Sequence, residues 1–193
     1  MAIAPRIRLR PTMQSDLDFV VSLENDPAHL PFITPWDRMQ HEAAIRFPDM
    51  RHFVIEGGAG LDAVGYLILI GCRNPHQSIE LKRMVIAAKG QGLGRAALRV
   101  AKRVAFDDLG AHRFWLDVKS RNERAKALYD AEGFTLEGTL REAVRIAPRA
   151  SSLPAGRGSQ AGADFDSLHV LSMLRAEFDK RRLDGMEGSF NEF

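Results

Sequence analysis

The chain has 193 residues, of which 45% are hydrophobic and 27% charged, a composition typical of one globular domain rather than a disordered or fibrous protein. The formal net charge of +2 gives no overall bias toward nucleic acid, and the single cysteine excludes an internal disulfide. The longest apolar run is about half of what a membrane helix needs and no zinc-ligand spacing occurs, so we expect a cytoplasmic protein with neither membrane, nucleic-acid nor metal partners.

Strand and helix signals alternate along the chain. Strands are predicted where apolar residues alternate with polar ones or form short runs, and helices are predicted where apolar residues recur three or four positions apart. In chain order the predictions are a strand at 7–10, a helix around 17–23 with Ser15 and Asp18 as its capping box, a helix at 37–47, strands at 52–56, 63–71 and 78–86, a helix at 94–109, a strand at 114–118, a helix at 123–132, and strands at 134–145 and 168–174. This order predicts a mixed α/β (α+β) sandwich rather than a doubly wound parallel sheet.

Two segments lack such signals. Residues 148–163 are rich in Pro, Gly, Ser and Ala, which predicts a mobile surface loop. Residues 179–193 are charged and then Gly-rich, which predicts a loosely attached C-terminal tail. Residues 6–178 are therefore expected to form a single domain.

A loop with three alternate glycines joins the strand at 78–86 to the next helix. It runs from Lys89 through Gly90, Gln91, Gly92 and Leu93 to Gly94, with Arg95 next. Free backbone N–H groups and the positive end of a helix suit phosphate oxygens, and glycines allow close approach. Neither the dinucleotide fingerprint nor the P-loop pattern fits the spacing. A turn that only closes the joint between strand and helix is the alternative.

Two ordered motifs resemble those of the GNAT N-acetyltransferases. Lys89-x-x-Gly92-x-Gly94 is similar to the family's [Q/R]-x-x-G-x-[G/A] motif, with Lys at the first position. The segment from Asn122 to Phe134 is similar to N-x-x-A-x-x-[L/F]-Y-x-x-x-G-F. Leu9-Arg10-Pro11 with Asp16-Leu17 resembles the usual entry strand and first helix of the family, and the segment 166–174 resembles the closing strand of its ribosomal-protein-acetyltransferase-like members.

The resemblance implies a single-domain GNAT fold, with a mixed, mostly antiparallel central sheet that is flanked by helices and has splayed central strands. It also implies transfer of an acetyl group from acetyl-CoA to a primary amine, which could belong to a protein N-terminus, an amino acid or another small molecule. A catalytically silent acyl-CoA-binding sensor or interaction module is the alternative.

Donor-site residues follow from the same resemblance. Strand backbone before the loop is expected to pair with pantetheine, and the loop with pyrophosphate. Asn122 is expected to bind pantetheine, to cap the following helix, or both. Lys126 and Arg124 could bind the 3′-phosphate of coenzyme A, and the alternative is that both are solvated helix charges. The expected cofactor-binding residues are Met84, Val85, Ile86, Lys89, Gly90, Gln91, Gly92, Leu93, Gly94, Arg95, Asn122 and Lys126.

Glu80 and Tyr129 are the catalytic candidates. Glu80 lies six residues before Ile86, where some family members place the general base, and a regular strand would put it on the same side as Lys82, Met84 and Ile86. An ion pair with Lys82 is the alternative reading. Tyr129 occupies the position of the acid that protonates the thiolate, and packing against the sheet is its alternative.

Further candidates lie on the acceptor side. Asp117 and Glu24 are other possible bases. Glu24, Phe32 and Trp36 are the expected substrate-binding residues, because this fold shapes its acceptor pocket with the first two helices and their joint. An exposed last strand would permit a homodimer through sheet contact.

Overall fold

The computed structural model describes residues 5–58, 60–146 and 164–186, and the predicted loop at 148–163 lies outside them. Its strands are β1 (Ile7–Pro11), β2 (Met50–Gly57), β3 (Asp62–Ile70), β4 (Ser78–Ile86), β5 (Arg113–Lys119), β6 (Thr135–Arg145) and β7 (Phe165–Leu174). Its α-helices are α1 (Leu17–Glu24), α2 (Arg38–Arg46), α3 (Leu93–Arg103), α4 (Glu123–Ala131) and α5 (Arg175–Leu183). All the predicted strands and helices are confirmed, with ends that shift by a few residues.

Two local expectations at helix ends were wrong. The capping interaction before α1 does not use Ser15, because the Asp16 carboxylate instead accepts from the backbone N–H of Met13, at 2.7 Å. The helix predicted over 94–109 is α-helical only as far as Arg103, and a π-helical turn continues it from Val104 to Asp108.

One seven-stranded sheet, in the order β1-β2-β3-β4-β5-β7-β6, forms the centre of the molecule. Neighbouring strands are antiparallel except for β4 and β5, which run parallel and pair only from Ser78–Glu80 to Arg113–Trp115. Beyond Glu80 the two strands diverge. The mixed, mostly antiparallel sheet with splayed central strands is confirmed.

Helices cover both faces of the sheet. Leu67 and Leu69 of β3 belong to the main core, together with residues of α3, α4 and α5. Tyr66 and Ile68 belong to a smaller core with α1. Because side chains alternate along a strand, these two cores lie on opposite faces of the sheet. None of the helices in the described residues is long and apolar enough to span a membrane.

A bulge in β4 reverses the alternation of its side chains. Leu69 of β3 pairs with Leu81, whereas the next residue back, Ile68, pairs with Arg83, so Lys82 is an extra residue. Before the bulge, Leu81 faces the main core, and after it Val85 faces the α1 core. The expectation that Glu80 shares a face with Met84 and Ile86 was therefore wrong, because the strand is not regular.

The C-terminal region also differs from the expectations. Residues 179–183 continue helix α5, whose Phe178 is fully buried and stacks on Phe106 with 4.7 Å between ring centroids. Arg175 and Arg181 of the same helix donate to the carbonyls of Phe106 and Ala131, so residues 179–183 are attached to the domain. Strand β7 is not exposed at an edge, because it pairs with β5 on one side and β6 on the other.

Candidate functional site

A cavity of about 840 Å³ opens where β4 and β5 diverge. Most of its wall comes from the α1–α2 loop, β4 from residue 81 to 86, the glycine loop, the end of β5, and α4, and Val144 of β6 and Leu168 of β7 complete it. On the side that faces β5, the β4 backbone has no strand partner beyond Glu80. That edge therefore offers free N–H and C=O groups to a ligand in the cavity.

The glycine loop forms one end of the cavity. Gly90 and Gly92 have φ values of +91° and +75°, a conformation that side-chain-bearing residues adopt at a cost. Gly92 is the N-cap of α3, and the first bond of the helix runs from the N–H of Ala96 to the Gly92 carbonyl, at 3.1 Å. The N–H groups of residues 93–95 precede that bond and point out of the helix end, which suits an anion.

Basic side chains surround this end. Lys89, Arg95 and Arg124 all line the cavity. Lys89 also donates to the Ala28 carbonyl at 3.0 Å and lies 5.7 Å from the ring centroid of Phe32, so it ties the glycine loop to the α1–α2 loop.

Most of the expected donor residues line the cavity. They are Met84, Val85, Ile86, Lys89, Gly90, Gly92, Leu93, Gly94, Arg95 and Asn122. Gln91 and Lys126 are not among the lining residues, and Lys126 pairs with Asp130 at 2.7 Å. Asn122 both lines the cavity and caps α4, accepting from the Ala125 N–H at 3.2 Å.

Tyr129 and Asp117 both line the cavity and belong to opposite faces of the sheet. Tyr129 packs in the main core, whereas Asp117 alternates with the core residues Leu116 and Val118 and so points to the other face. Burial and the nearby charge of Asp117 raise the pKa of Tyr129 to about 12. Its phenol is therefore protonated at neutral pH and can donate a proton. Asp117 is the one acidic residue among the described residues that line the cavity.

Glu80 is not among the lining residues. It lies on the paired part of β4, with its carboxylate 3.1 Å from the Lys82 ammonium. The structure therefore brings Tyr129 together with Asp117 in the cavity and leaves Glu80 beside it.

Glu24 lies below the acceptor side of the cavity rather than in its wall. Its fully buried carboxylate accepts from the Tyr66 hydroxyl and the Trp36 backbone, pairs with Arg83, and lies 3.3 Å from Nε2 of His41. Burial alone would raise the pKa of Glu24, but these partners lower it to about 2. Glu24 is thus too weakly basic to accept a proton at neutral pH.

Of the other two expected substrate-binding residues, only one lies in the cavity wall. Phe32 lines the cavity, whereas Trp36 lies outside its wall and packs against the guanidinium of Arg83, 4.8 Å from the ring centroid.

Among the lining residues that the sequence reasoning missed are His29, Arg83 and Lys119. Nδ1 of His29 lies 2.8 Å from the Leu23 carbonyl, which can only accept, so Nδ1 carries the proton. Nε2 is then a proton acceptor, buried without a hydrogen-bond partner in the described part of the chain. No spacing in the sequence marks these residues, because loop folding and the β4 bulge bring them to the cavity.

Comparisons with known proteins agree with this geometry. A family model described as an acetyltransferase (GNAT) domain matches residues 6–135. The spermidine N(1)-acetyltransferase of Escherichia coli (strain K12) is 26% identical over 151 residues, which cover 72% of this chain and 78% of that protein. The Vibrio cholerae enzyme of the same name is 28% identical over 149 residues, with 71% and 83% covered.

A solved structure has the same fold. The spermidine N-acetyltransferase of Vibrio cholerae, in complex with CoA and spermine, superposes with a TM-score of 0.74 at 24% identity and covers 89% of this chain and 97% of its own. These relatives act on polyamines by name, so they do not support the expected likeness to ribosomal-protein-acetyltransferase-like members.

Proposed function

This chain belongs to the GNAT acetyltransferase family, and on that premise we propose how its cavity performs the transfer. The reaction moves an acetyl group from acetyl-CoA to a primary amine. One observation carries the proposal: the gap between β4 and β5 joins Tyr129 on one face of the sheet to Asp117 on the other. Donor and acceptor can then meet inside the gap from opposite sides.

Acetyl-CoA lies along the free edge of β4. Its pyrophosphate binds the N–H groups of residues 93–95, with Lys89 and Arg95 as countercharges. The amides of the pantetheine pair with the unpaired β4 backbone near Val85. A backbone N–H from the same edge can stabilise the oxyanion that forms during transfer.

In the transfer step, the amine nitrogen attacks the carbonyl carbon of the thioester and the carbon–sulfur bond breaks. Tyr129 donates its hydroxyl proton to the departing thiolate and regains a proton from water. Asp117 accepts the proton that the amine loses, directly or through a water molecule. We assign this role to Asp117 in place of Glu80, because Asp117 lies in the cavity wall, whereas Glu80 is not among the lining residues and is paired with Lys82.

Three variants test these roles by the release of free thiol from acetyl-CoA. Tyr129→Phe and Asp117→Asn should each lower kcat by about 10²-fold or more, the usual worth of a positioned acid or base. Glu80→Gln is the matched control and should change kcat less than about threefold. Binding of acetyl-CoA to the Tyr129→Phe variant, measured by calorimetry, should persist.

Other results would change the assignment. A Glu80→Gln variant as slow as Asp117→Asn would return the base to Glu80, and a fully active Tyr129→Phe would remove the acid. Acetyl-CoA binding with no thiol release for any amine would favour the silent sensor.

A further inference from the structure

The acceptor side of the cavity carries more positive than negative charge. The α1–α2 loop covers this side, and two of the cations that contact the loop, Arg83 and Lys119, line the cavity away from the glycine loop. Asp117 is the acidic residue in the described part of the wall. A ligand at this end therefore meets Arg83 and Lys119 but only one carboxylate in the described part of the wall, that of Asp117.

Arg83 is held in a fixed position. Its Nη1 pairs with the buried carboxylate of Glu24, its Nη2 donates to the Thr34 carbonyl at 2.9 Å, and its guanidinium packs on the ring of Trp36. Its side chain is 9% exposed. A guanidinium has five N–H donors, so these contacts leave others for a ligand.

Lys119 is half-buried and lacks a carboxylate partner. Its ammonium donates to the Pro31 carbonyl at 3.3 Å, and no carboxylate of the described residues lies within 4.0 Å of it. Burial lowers the pKa of Lys119; Asp166 opposes this effect, and the charges of Arg121 and Arg83 add to it. A cation that has lost part of its water beside other cations is stabilised by an anion.

Asp117 and Lys119 fix the spacing between the two ends of such a ligand. They are two residues apart on β5 and so point to the same face of the sheet. Two residues of extended strand span about 7 Å. An amine at Asp117 thus lies a short chain away from an anion at Lys119.

We propose, on the basis of the function proposed above, that the acceptor is a small amine that also carries a carboxylate. Its reacting nitrogen lies at Asp117 and its carboxylate lies between Lys119 and Arg83. A polyamine would instead place a second ammonium beside these two cations, where like charges repel. The cavity therefore selects against the acceptors by which the relatives are named.

The test uses pairs of acceptors that differ in one charge. The probes are 4-aminobutanoate and its uncharged isostere 4-aminobutanamide, with spermidine as the polyamine. Calorimetry measures their binding to the complex of the protein with coenzyme A, and thiol release from acetyl-CoA measures their turnover. Wild type should bind the carboxylate at least tenfold more tightly than the amide.

Two variants locate the effect. Lys119→Met should bring the affinity ratio of carboxylate to amide close to one, because it removes the unpaired cation and keeps the length of the side chain. Lys180→Met is the matched control, since it removes an exposed cation of α5 that is not among the residues lining the cavity, and it should keep the wild-type ratio.

Each outcome bears on one proposal. Equal binding of acid and amide, tighter binding of spermidine, or an unchanged ratio in Lys119→Met would overturn the acceptor class whatever the turnover. A tenfold binding preference without thiol release would uphold the acceptor class and count against the transfer mechanism alone.

Discussion

Replacing Glu24 by Gln should destabilise the fold by about 3 kcal/mol at pH 7, and two lines of reasoning give this magnitude. Removing one partner of a buried ion pair costs about 3–5 kcal/mol, and Arg83 would lose its carboxylate. Gln keeps one oxygen that can accept from Tyr66 or Trp36, which favours the lower end of that range.

The pKa of Glu24 gives the second estimate. It falls from an ordinary 4.5 to about 2 on folding, and each unit corresponds to about 1.4 kcal/mol, so the carboxylate stabilises the fold by about 3 kcal/mol. Because the pKa is lower in the folded state, this stabilisation is complete above pH 4.5. It is lost as the pH falls through 2.

Urea unfolding followed by circular dichroism measures the effect. Glu24→Gln should lower the free energy of unfolding by about 3 kcal/mol at pH 7, or the melting temperature by roughly 6–12 °C. The matched control is Glu80→Gln, which breaks the more exposed pair with Lys82 and should cost less than about 1 kcal/mol.

Two results would refute this reasoning. One is a loss below about 1 kcal/mol for Glu24→Gln at pH 7. The other is a difference between wild type and variant that stays constant from pH 4.5 down to pH 2, because protonation of Glu24 should remove most of it.

Three further changes test other parts of the fold. Gly92→Ala should raise the KM for acetyl-CoA and cost about 1–2 kcal/mol in urea unfolding, because Ala adopts a φ of +75° only under strain. Phe178→Ala should cost about 3–5 kcal/mol by the same assay, as expected for a fully buried aromatic ring, and no loss would mean that α5 is loosely attached. Burial and the nearby His41 lower the pKa of His52 to about 4, so the folded state binds this proton less readily than the unfolded state. The free energy of unfolding should therefore fall as the pH falls from 6.5 toward 4. His52→Gln should remove this part of the pH dependence in the same urea assay.

Much of the fold could be predicted from the sequence because local patterns determine it. The β4 strand was predicted with its observed ends, and the glycine loop lies where the spacing indicated. Asn122 caps α4, as Asn commonly does at a helix start. These features depend on residues close together in the chain, where hydrophobic period and turn chemistry operate.

The acceptor side could not be predicted in the same way. It depends on contacts between distant residues, such as those of Lys119 with Pro31 and of Arg83 with Thr34. Likewise, helix α5 has a charged sequence, and the one aromatic ring that it buries, Phe178, is helped by bonds from Arg175 to the Phe106 carbonyl and from Arg181 to the Ala131 carbonyl. A period-based reading cannot weigh one aromatic residue against many charges.

The bulge at Lys82 determines both what was mispredicted and which β4 side chains point toward the acceptor side of the cavity. In a regular strand, Arg83 would share a face with Ile79 and Leu81 and enter the apolar main core, where an unpaired charge is costly. With one extra residue, Arg83 turns toward Glu24 and the acceptor, and Met84 with Ile86 joins the main core instead. The apolar residues at 79, 81, 84 and 86 keep a single face only if one residue is skipped, so the sequence does contain the signal for the bulge.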